Sequence, residues 1–215
     1  MGYTGVWCDY KLKSGKIDVK QYLDEELTHD NYTVLKSKIV GHVYYAAILH
    51  TVGEISERFA MVVPYEIGKH GGSNLAFKTM SESSGPYYFD CPMNILSMLS
   101  PTKDAECLAW RRRCYVQNEM ENRRKALKGM PVGTELLIFF NRHYIVLTKR
   151  SPAYQFKKDW WQCGGRYFPS SRIPCDYDIV ASVDGFDYPE LSGKLARQTA
   201  EDNADVWMKT QRMHV

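Results

Sequence analysis

Alternating apolar and polar positions define the first third of the chain. The pattern has a period of two across residues 32–40, which predicts a half-buried strand. Residues 42–51 are predicted to be its antiparallel neighbour across Gly41, or its continuation after a bulge. Residues 58–67 form a further predicted strand, and residues 18–27 a helix capped by its first residue. The first 70 residues therefore predict a curved antiparallel sheet that carries one helix.

A long helix is predicted over residues 104–128, and its two halves differ. Cys107, Trp110 and Cys114 form an apolar stripe at helical spacing in the first half. Beyond Val116 the stripe fades and the helix becomes polar on all sides. A helix of that kind bridges subdomains or faces a partner, so we expect its second half to be a contact surface.

Residues 133–179 predict a compact β unit. One hairpin turns at Asn141-Arg142 and a second turns at Gly164-Gly165. About five short strands in this span predict a small SH3-like β-barrel. A terminal helix is predicted to start at Asp187, and its packing side is expected to be Leu191, Leu195, Thr199, Asp202 and Val206.

These elements predict an α+β protein with an N-terminal antiparallel sheet and helix, a long connecting helix, a small SH3-like β-barrel and a C-terminal helix. The predicted boundaries give an α+β subdomain (1–103), a connecting helix (104–130), a barrel (131–182) and a C-terminal helix and tail (183–215). No apolar run approaches the roughly 18 residues that span a bilayer, and no signal peptide is evident. We therefore expect a cytoplasmic protein with no membrane contact.

The six cysteines do not form a recognisable framework. No pair has Cys-x-x-Cys spacing, and no His-x-x-x-His pair is present. In a reducing compartment these thiols are expected to be free and mostly packed as small apolar groups. We therefore predict no metal site and no cofactor.

The net charge of +3 is unevenly distributed. Residues 101–175 carry a net charge of +9, between segments of −2 and −4. A basic middle segment indicates a negatively charged partner, either nucleic acid or an acidic protein face, or else a solvated surface.

Aromatic residues are interleaved with these basic groups. Such a mixture suits phosphate contacts with base stacking, and it equally suits a protein hot spot. Strand alternation predicts that one of Trp160 and Trp161 points inward and the other outward as an anchor. The predicted binding residues are Arg112, Arg113, Arg123, Arg124, Lys125, Lys128, Arg142, Lys149, Arg150, Lys157, Lys158, Trp160, Trp161 and Arg166.

The segment 77–92 joins a Ser-rich run, a Gly-Pro turn, three aromatics and Asp90-Cys91-Pro92, which are expected to open a short helix. Glu82, Tyr87 and Tyr88 are predicted to lie on the loop surface. Glu82 and Asp90 also suit an acid/base or metal pair, although an N-cap role for Asp90 and a solvated Glu82 are simpler. Cys91 is the best nucleophile candidate, because a helix N-terminus lowers a thiol pKa. The simpler interpretation is a capping or core thiol.

The same segment carries a resemblance, together with Val34-Leu35-Lys36-Ser37, Tyr44-Tyr45-Ala46-Ala47 and residues 147–156. These motifs resemble an uncharacterised family of small proteins, with no known activity, carried by conjugative elements and phages of Firmicutes. Relatives have an Asp-Met-Asp-Glu-Thr run where this chain has Thr79-Met80-Ser81-Glu82-Ser83, so two carboxylates are absent. The resemblance implies a setting in mobile elements, whose accessory genes commonly counter host defence or manage DNA transfer.

From these features we predict a non-enzymatic binding protein of a mobile element that interferes with a host immune nuclease, of the anti-CRISPR or antirestriction type. Direct nucleic-acid binding by an accessory protein is the first alternative. A cysteine-dependent enzyme centred on Cys91 is the second alternative.

Overall fold

The computed structural model describes residues 3–4, 18–67, 75–84, 87–151 and 160–213. Within them the chain is mixed α+β, with four α-helices and two antiparallel sheets, which confirms the predicted class. Two compact units are present: a first unit of residues 1–115 with 206–215, and a second unit of residues 116–205. The division into four segments stays a prediction.

The first unit contains a six-stranded sheet. Its strands are β1 (Tyr3–Thr4), β2 (Tyr32–Val40), β3 (Val43–Val52), β4 (Ile55–Ile67), β5 (Leu75–Phe77) and β6 (Met80–Ser81). Their order is β1-β5-β4-β3-β2, and β6 also pairs with β4. The predicted hairpin across Gly41 is confirmed, and Gly41 has the positive φ of 60° that this turn requires.

Helices cover both faces of this sheet. On one face, Tyr44, Ala46 and Ile48 pack against α1 (Val19–Glu26), which Asp18 caps by accepting a hydrogen bond from the Gln21 N–H. On the other face, Tyr45 and Ala47 pack against α2 (Met93–Leu96) and the first half of α3 (Ala105–Ala126). The centre of the sheet, along β3, is therefore buried on both sides.

The second unit contains a five-stranded sheet. Its strands are β7 (Glu135–Phe140), β8 (His143–Lys149), β9 (Trp160–Cys163), β10 (Arg166–Pro169) and β11 (Asp178–Ala181), in the order β10-β9-β8-β7-β11. Within the described part of the chain β10 and β11 do not pair, so the sheet is open and the SH3-like barrel is not confirmed. The inner face packs Leu136, Ile138, Leu147 and Trp161 with Leu127, which follows α3.

The sequence predicted that the second half of α3 is polar on all sides, and the structure shows that it is not. Val116, Met120, Arg123 and Leu127 are buried and follow one another at helical spacing. The expectation was wrong because one position of this stripe is an arginine, whose buried partners lie far away in the sequence. The second half of α3 is consequently part of the core of its unit.

The last helix, α4 (Gly193–Gln211), starts later than predicted. At its start the chain passes so close to Asp176 that a Cβ on Gly193 would lie 2.0 Å from the Asp176 carbonyl oxygen. The predicted packing side was also wrong, since Leu195 and Val206 are exposed. The buried side is instead Ala200, Ala204, Met208 and Gln211.

Candidate functional site

Arg123 is a core residue and not a surface contact. Its Nη1 donates to the Tyr177 and Cys175 carbonyls, the latter at 2.9 Å, and its Nη2 donates to the Glu190 carbonyl at 2.7 Å. The guanidinium lies 3.8 Å from the centre of the Tyr177 ring. Burial lowers the Arg123 pKa. This corrects the predicted binding role, because Arg123 holds the loop before α4.

The other basic residues near the end of α3 lie nearer the surface. Arg124 is half-buried and pairs with Glu121 one turn earlier, and Lys125 donates to Asn122 at 3.1 Å. Lys128 is exposed. The predicted Arg123-Arg124-Lys125 patch is therefore divided between the core and a partly neutralised surface.

Lys149 is also buried, which corrects its predicted surface placement, and Trp161 is buried as well, so it is the inward-pointing tryptophan and not a binding residue. The Lys149 ammonium donates to the Leu127 carbonyl at 3.1 Å and lies 5.0 Å from the centre of the Trp161 ring. The Trp161 indole donates to Ser170 Oγ at 3.0 Å. Trp160 is half-buried beside Tyr167, with ring centres 6.5 Å apart. The prediction that one tryptophan points inward and one outward is confirmed.

The outer face of the second sheet presents large apolar groups to solvent. Tyr144 is 72% exposed, Phe139 57%, Val146 41% and Tyr167 38%. Phe139 and Tyr144 are directly opposite on β7 and β8, and their ring centres lie 5.1 Å apart. We call the side chains Leu137, Phe139, Tyr144, Val146, Trp160 and Tyr167 the outer apolar face.

Several predicted basic residues border this face or the turns beside it. Arg142 lies in the β7–β8 turn, Arg166 starts β10, and Arg150 follows β8; all three are exposed. Arg150 is held by Gln162, whose Oε1 lies 2.9 Å from its Nε. The outer face also carries two half-buried carboxylates, Glu135 and Asp178, so its charge is mixed.

The remaining predicted basic residues fall elsewhere. Arg112 and Arg113 belong to the first unit, where Arg113 is exposed and its guanidinium lies 5.2 Å from the centre of the Phe89 ring. Arg112 is half-buried. Lys157 and Lys158 lie outside the described residues.

Glu82 is buried, which overturns its predicted place on the loop surface. It forms a two-pronged ion pair with Arg111, in which both N–O distances are 2.6 Å. Arg111 also donates to the Ser100 carbonyl at 2.7 Å and to Gln211 Oε1 at 3.1 Å. The sequence contained a signal for Arg111, because it lies on the apolar stripe of α3 between Cys107 and Cys114.

The two tyrosines of the same segment differ in exposure. Tyr87 is 85% exposed, as predicted. Tyr88 is half-buried, and its carbonyl accepts a hydrogen bond of 2.9 Å from the Trp110 indole. Tyr88 is thus partly a packing residue of the first unit.

Cys91 does not have the environment of a nucleophile. It is fully buried and precedes Pro92, the cap residue of α2, which makes no side-chain cap hydrogen bond. Burial, reinforced by Cys114 and Glu82, raises the Cys91 pKa well above its ordinary value. The predicted lowering of this pKa by the helix N-terminus is wrong, and Asp90 is not the cap.

Among the described residues, no group of three or more His, Cys, Asp or Glu side chains is arranged to hold a metal ion. No described helix has an apolar stretch long enough to cross a membrane.

Comparisons with protein-family profiles, with curated proteins and with solved structures gave no match to this chain. The geometry of the outer apolar face is therefore the main guide to function.

Proposed function

We propose that this protein is a non-enzymatic binding protein that contacts a protein partner through the outer apolar face of its second sheet. The supporting observation is a set of three large exposed side chains on the neighbouring strands β7 and β8, Phe139, Tyr144 and Val146, with exposed Tyr167 further along the same face on β10. Contiguous exposed apolar surface of this kind marks interaction sites, and tyrosine and tryptophan are enriched among the residues that dominate interfaces.

A protein partner suits this face better than a nucleic acid does. The outer face includes the aliphatic Leu137 and Val146, which offer no stacking surface to bases. Glu135 and Asp178 lie on the same face and would repel phosphates. Two of the predicted basic contacts, Arg123 and Lys149, are buried. These features together favour a protein surface as the ligand.

The proposed partner is a host immune nuclease, and the protein would act in the cytoplasm as an anti-CRISPR or antirestriction factor. This part of the proposal depends on the resemblance to proteins of conjugative elements and phages. We include in this proposal that the chain belongs to that family of mobile-element proteins and that its second sheet is related to SH3-like barrels.

The test is affinity capture from nuclease-treated host lysate with a matched pair of variants. Phe139→Thr with Tyr144→Thr removes two aromatic contacts but keeps strand-forming residues. Ile55→Thr is the control, because Ile55 is 76% exposed and lies on β4 of the first unit. We expect wild type and Ile55→Thr to retain a host nuclease that the double variant loses. Equal retention by the double variant would contradict the proposal.

Direct nucleic-acid binding remains the second candidate, supported by the exposed Arg142, Arg166 and Lys128. It predicts that affinity for an oligonucleotide falls steeply with salt, since each neutralised phosphate releases counterion. Measurement of the dissociation constant from about 50 to 200 mM salt separates the two candidates. A flat response would exclude this alternative.

A further inference from the structure

A cleft lies on the inner side of the second sheet, at the edge of its packed core. The turns of the β7–β8 and β9–β10 hairpins border this cleft of about 320 Å³. Its apolar lining includes Phe140, Ile145 and Phe168, and the Phe140 and Phe168 rings meet edge to face at 5.3 Å between centres. We call this space the hairpin-end cleft.

The polar lining of the cleft is neutral or basic. His143 and Arg166 contribute to its walls, with Asn141 beside them, and no carboxylate is among the lining residues. Arg142 is next in the same turn. Neither Arg142 nor Arg166 forms a hydrogen bond or ion pair with another residue in the described ranges, so both guanidinium groups are available to a ligand.

The backbone at the turn supports a role for the Arg142 side chain. Asn141 and Arg142 have φ values of 48° and 67°, the left-handed values of a two-residue type I′ turn. Asparagine is favoured in the first position and glycine in the second, where most other side chains are strained. An arginine in the glycine position opposes fold stability, which indicates that its side chain serves another purpose.

We propose that the hairpin-end cleft binds an acidic segment of a protein, with one apolar side chain in the cleft and flanking carboxylates on Arg142 and Arg166. The apolar lining provides the burial, and the two guanidinium groups match carboxylates in charge and geometry. This inference rests on the proposed function, in that the segment would belong to the protein partner.

A nucleic acid fits the cleft less well. A strand that follows the surface needs a series of cations for successive phosphates. Arg123 and Lys149 are buried, and Arg124 and Arg150 are bound to neighbouring side chains. One exposed arginine in the cleft lining, Arg166, and a second in the adjoining turn, Arg142, suit a short acidic segment.

The first test uses defined probes and the thiol of Cys163, which lines the cleft and is half-buried. The probes are a glutamate-rich peptide with a central phenylalanine, the same peptide with a central alanine, a lysine-rich version and an oligothymidylate. Binding is followed by fluorescence polarisation, and protection of Cys163 from iodoacetamide is read by mass spectrometry. We expect only the acidic phenylalanine peptide to bind well and to protect Cys163.

The second test compares variants of the full chain. Arg166→Glu should weaken binding of the acidic phenylalanine peptide at least about tenfold, whereas Arg172→Glu, at an exposed arginine outside the cleft lining, should not. Arg142→Gly should weaken binding several-fold while raising Tm by about 2 °C, because glycine relieves the left-handed strain. A purely structural role for Arg142 would not lower affinity while raising Tm.

Several results would overturn the proposal. These are absence of acidic-peptide binding, unchanged affinity in Arg166→Glu, failure to protect Cys163, or stronger protection by oligothymidylate. Nuclease capture that still depends on Phe139 and Tyr144 would leave the proposed function intact while the cleft assignment fails. Conversely, Cys163 protection with capture independent of those aromatics would retain the cleft and reject the outer-face contact.

Discussion

The two sheets of this protein use their faces differently. The centre of the first unit's sheet is covered on both sides, by α1 on one face and by α2 and α3 on the other, and its most exposed apolar side chains, Ile55 and Val52, lie beside the β3–β4 turn. The sheet of the second unit packs its inner face around Trp161 and leaves aromatic side chains exposed on its outer face. The first sheet is packed between helices at its centre, whereas the second sheet has one packed face and one face with exposed aromatic side chains that can contact a partner.

Both units bury an arginine, but the partners of the two arginines differ. The first unit buries an arginine with a carboxylate, Arg111 with Glu82, whereas the second unit buries Arg123 among carbonyl oxygens. A buried arginine makes a unit depend on one specific interaction, because its loss leaves unpaired groups in the core. Removal of an exposed apolar side chain leaves no unpaired group in the core. Substitutions of buried charged residues should therefore lower stability much more than substitutions of exposed apolar residues.

The largest expected effect is on the first unit. Glu82→Ala should lower the free energy of unfolding by about 3 to 5 kcal/mol, because it leaves the Arg111 cation buried without its counter-charge. Urea unfolding measures the loss, and Glu106→Ala, at an exposed carboxylate on α3, is the control. A loss no larger than that of the control would show that Arg111 does not need its partner.

The next largest effect is expected at Arg123. Arg123→Glu should lower the free energy of unfolding by at least about 3 kcal/mol, since a carboxylate would face carbonyl oxygens. The adjacent Arg124→Glu should be much milder, because Arg124 is partly exposed. Thermal and urea unfolding of both variants test this. If Arg123→Glu unfolds like wild type, the original prediction of a surface arginine is restored.

A smaller effect distinguishes the two faces of one strand. Leu147→Ala should cost about 3 kcal/mol through the cavity it creates, and Val146→Ala less than about 1 kcal/mol. The two residues are adjacent on β8, and Leu147 is fully buried whereas Val146 is 41% exposed. Equal losses measured by urea unfolding would mean that the outer face is covered.

The last prediction concerns the order in which the thiols react with iodoacetamide, and it involves no change in stability. At neutral pH, Cys163 should react with iodoacetamide well before Cys91 or Cys114, which are fully buried and have raised pKa values. Since thiolate forms only as pH rises toward a pKa, raising the pH to about 9 should not make Cys91 fast. Mass spectrometry of labelled peptides reads the order. Rapid labelling of Cys91 would revive the enzyme hypothesis.

Local patterns predicted most of the elements. The alternation from Tyr32 to Val40 gave a strand with those bounds, and residues 104–128 contained α3 (Ala105–Ala126), with Asp104 accepting a hydrogen bond from the Cys107 N–H. The Asn141-Arg142 turn was also placed correctly. Periodicity and turn chemistry act over a few residues, so they are readable from sequence alone.

The burial of charged residues could not be predicted in the same way. Glu82 and Arg111 are 29 positions apart, and the carbonyls that hold Arg123 lie more than 50 positions further along the chain. A charged side chain is buried only where such distant partners converge, which local patterns do not show. For the same reason, the sequence predicted a polar contact surface at the end of α3. It also placed the start of the last helix at Asp187, whereas α4 begins at Gly193.

Site-specific photo-crosslinking in host cells tests the outer-face contact most directly. Benzoylphenylalanine is placed at position 144, on the exposed outer face, or at position 55 as an equally accessible control in the first unit. We predict that the residue at position 144 crosslinks to a host nuclease and that the residue at position 55 does not. Crosslinking of the same nuclease from position 55 alone, or from neither position, would contradict the proposed function.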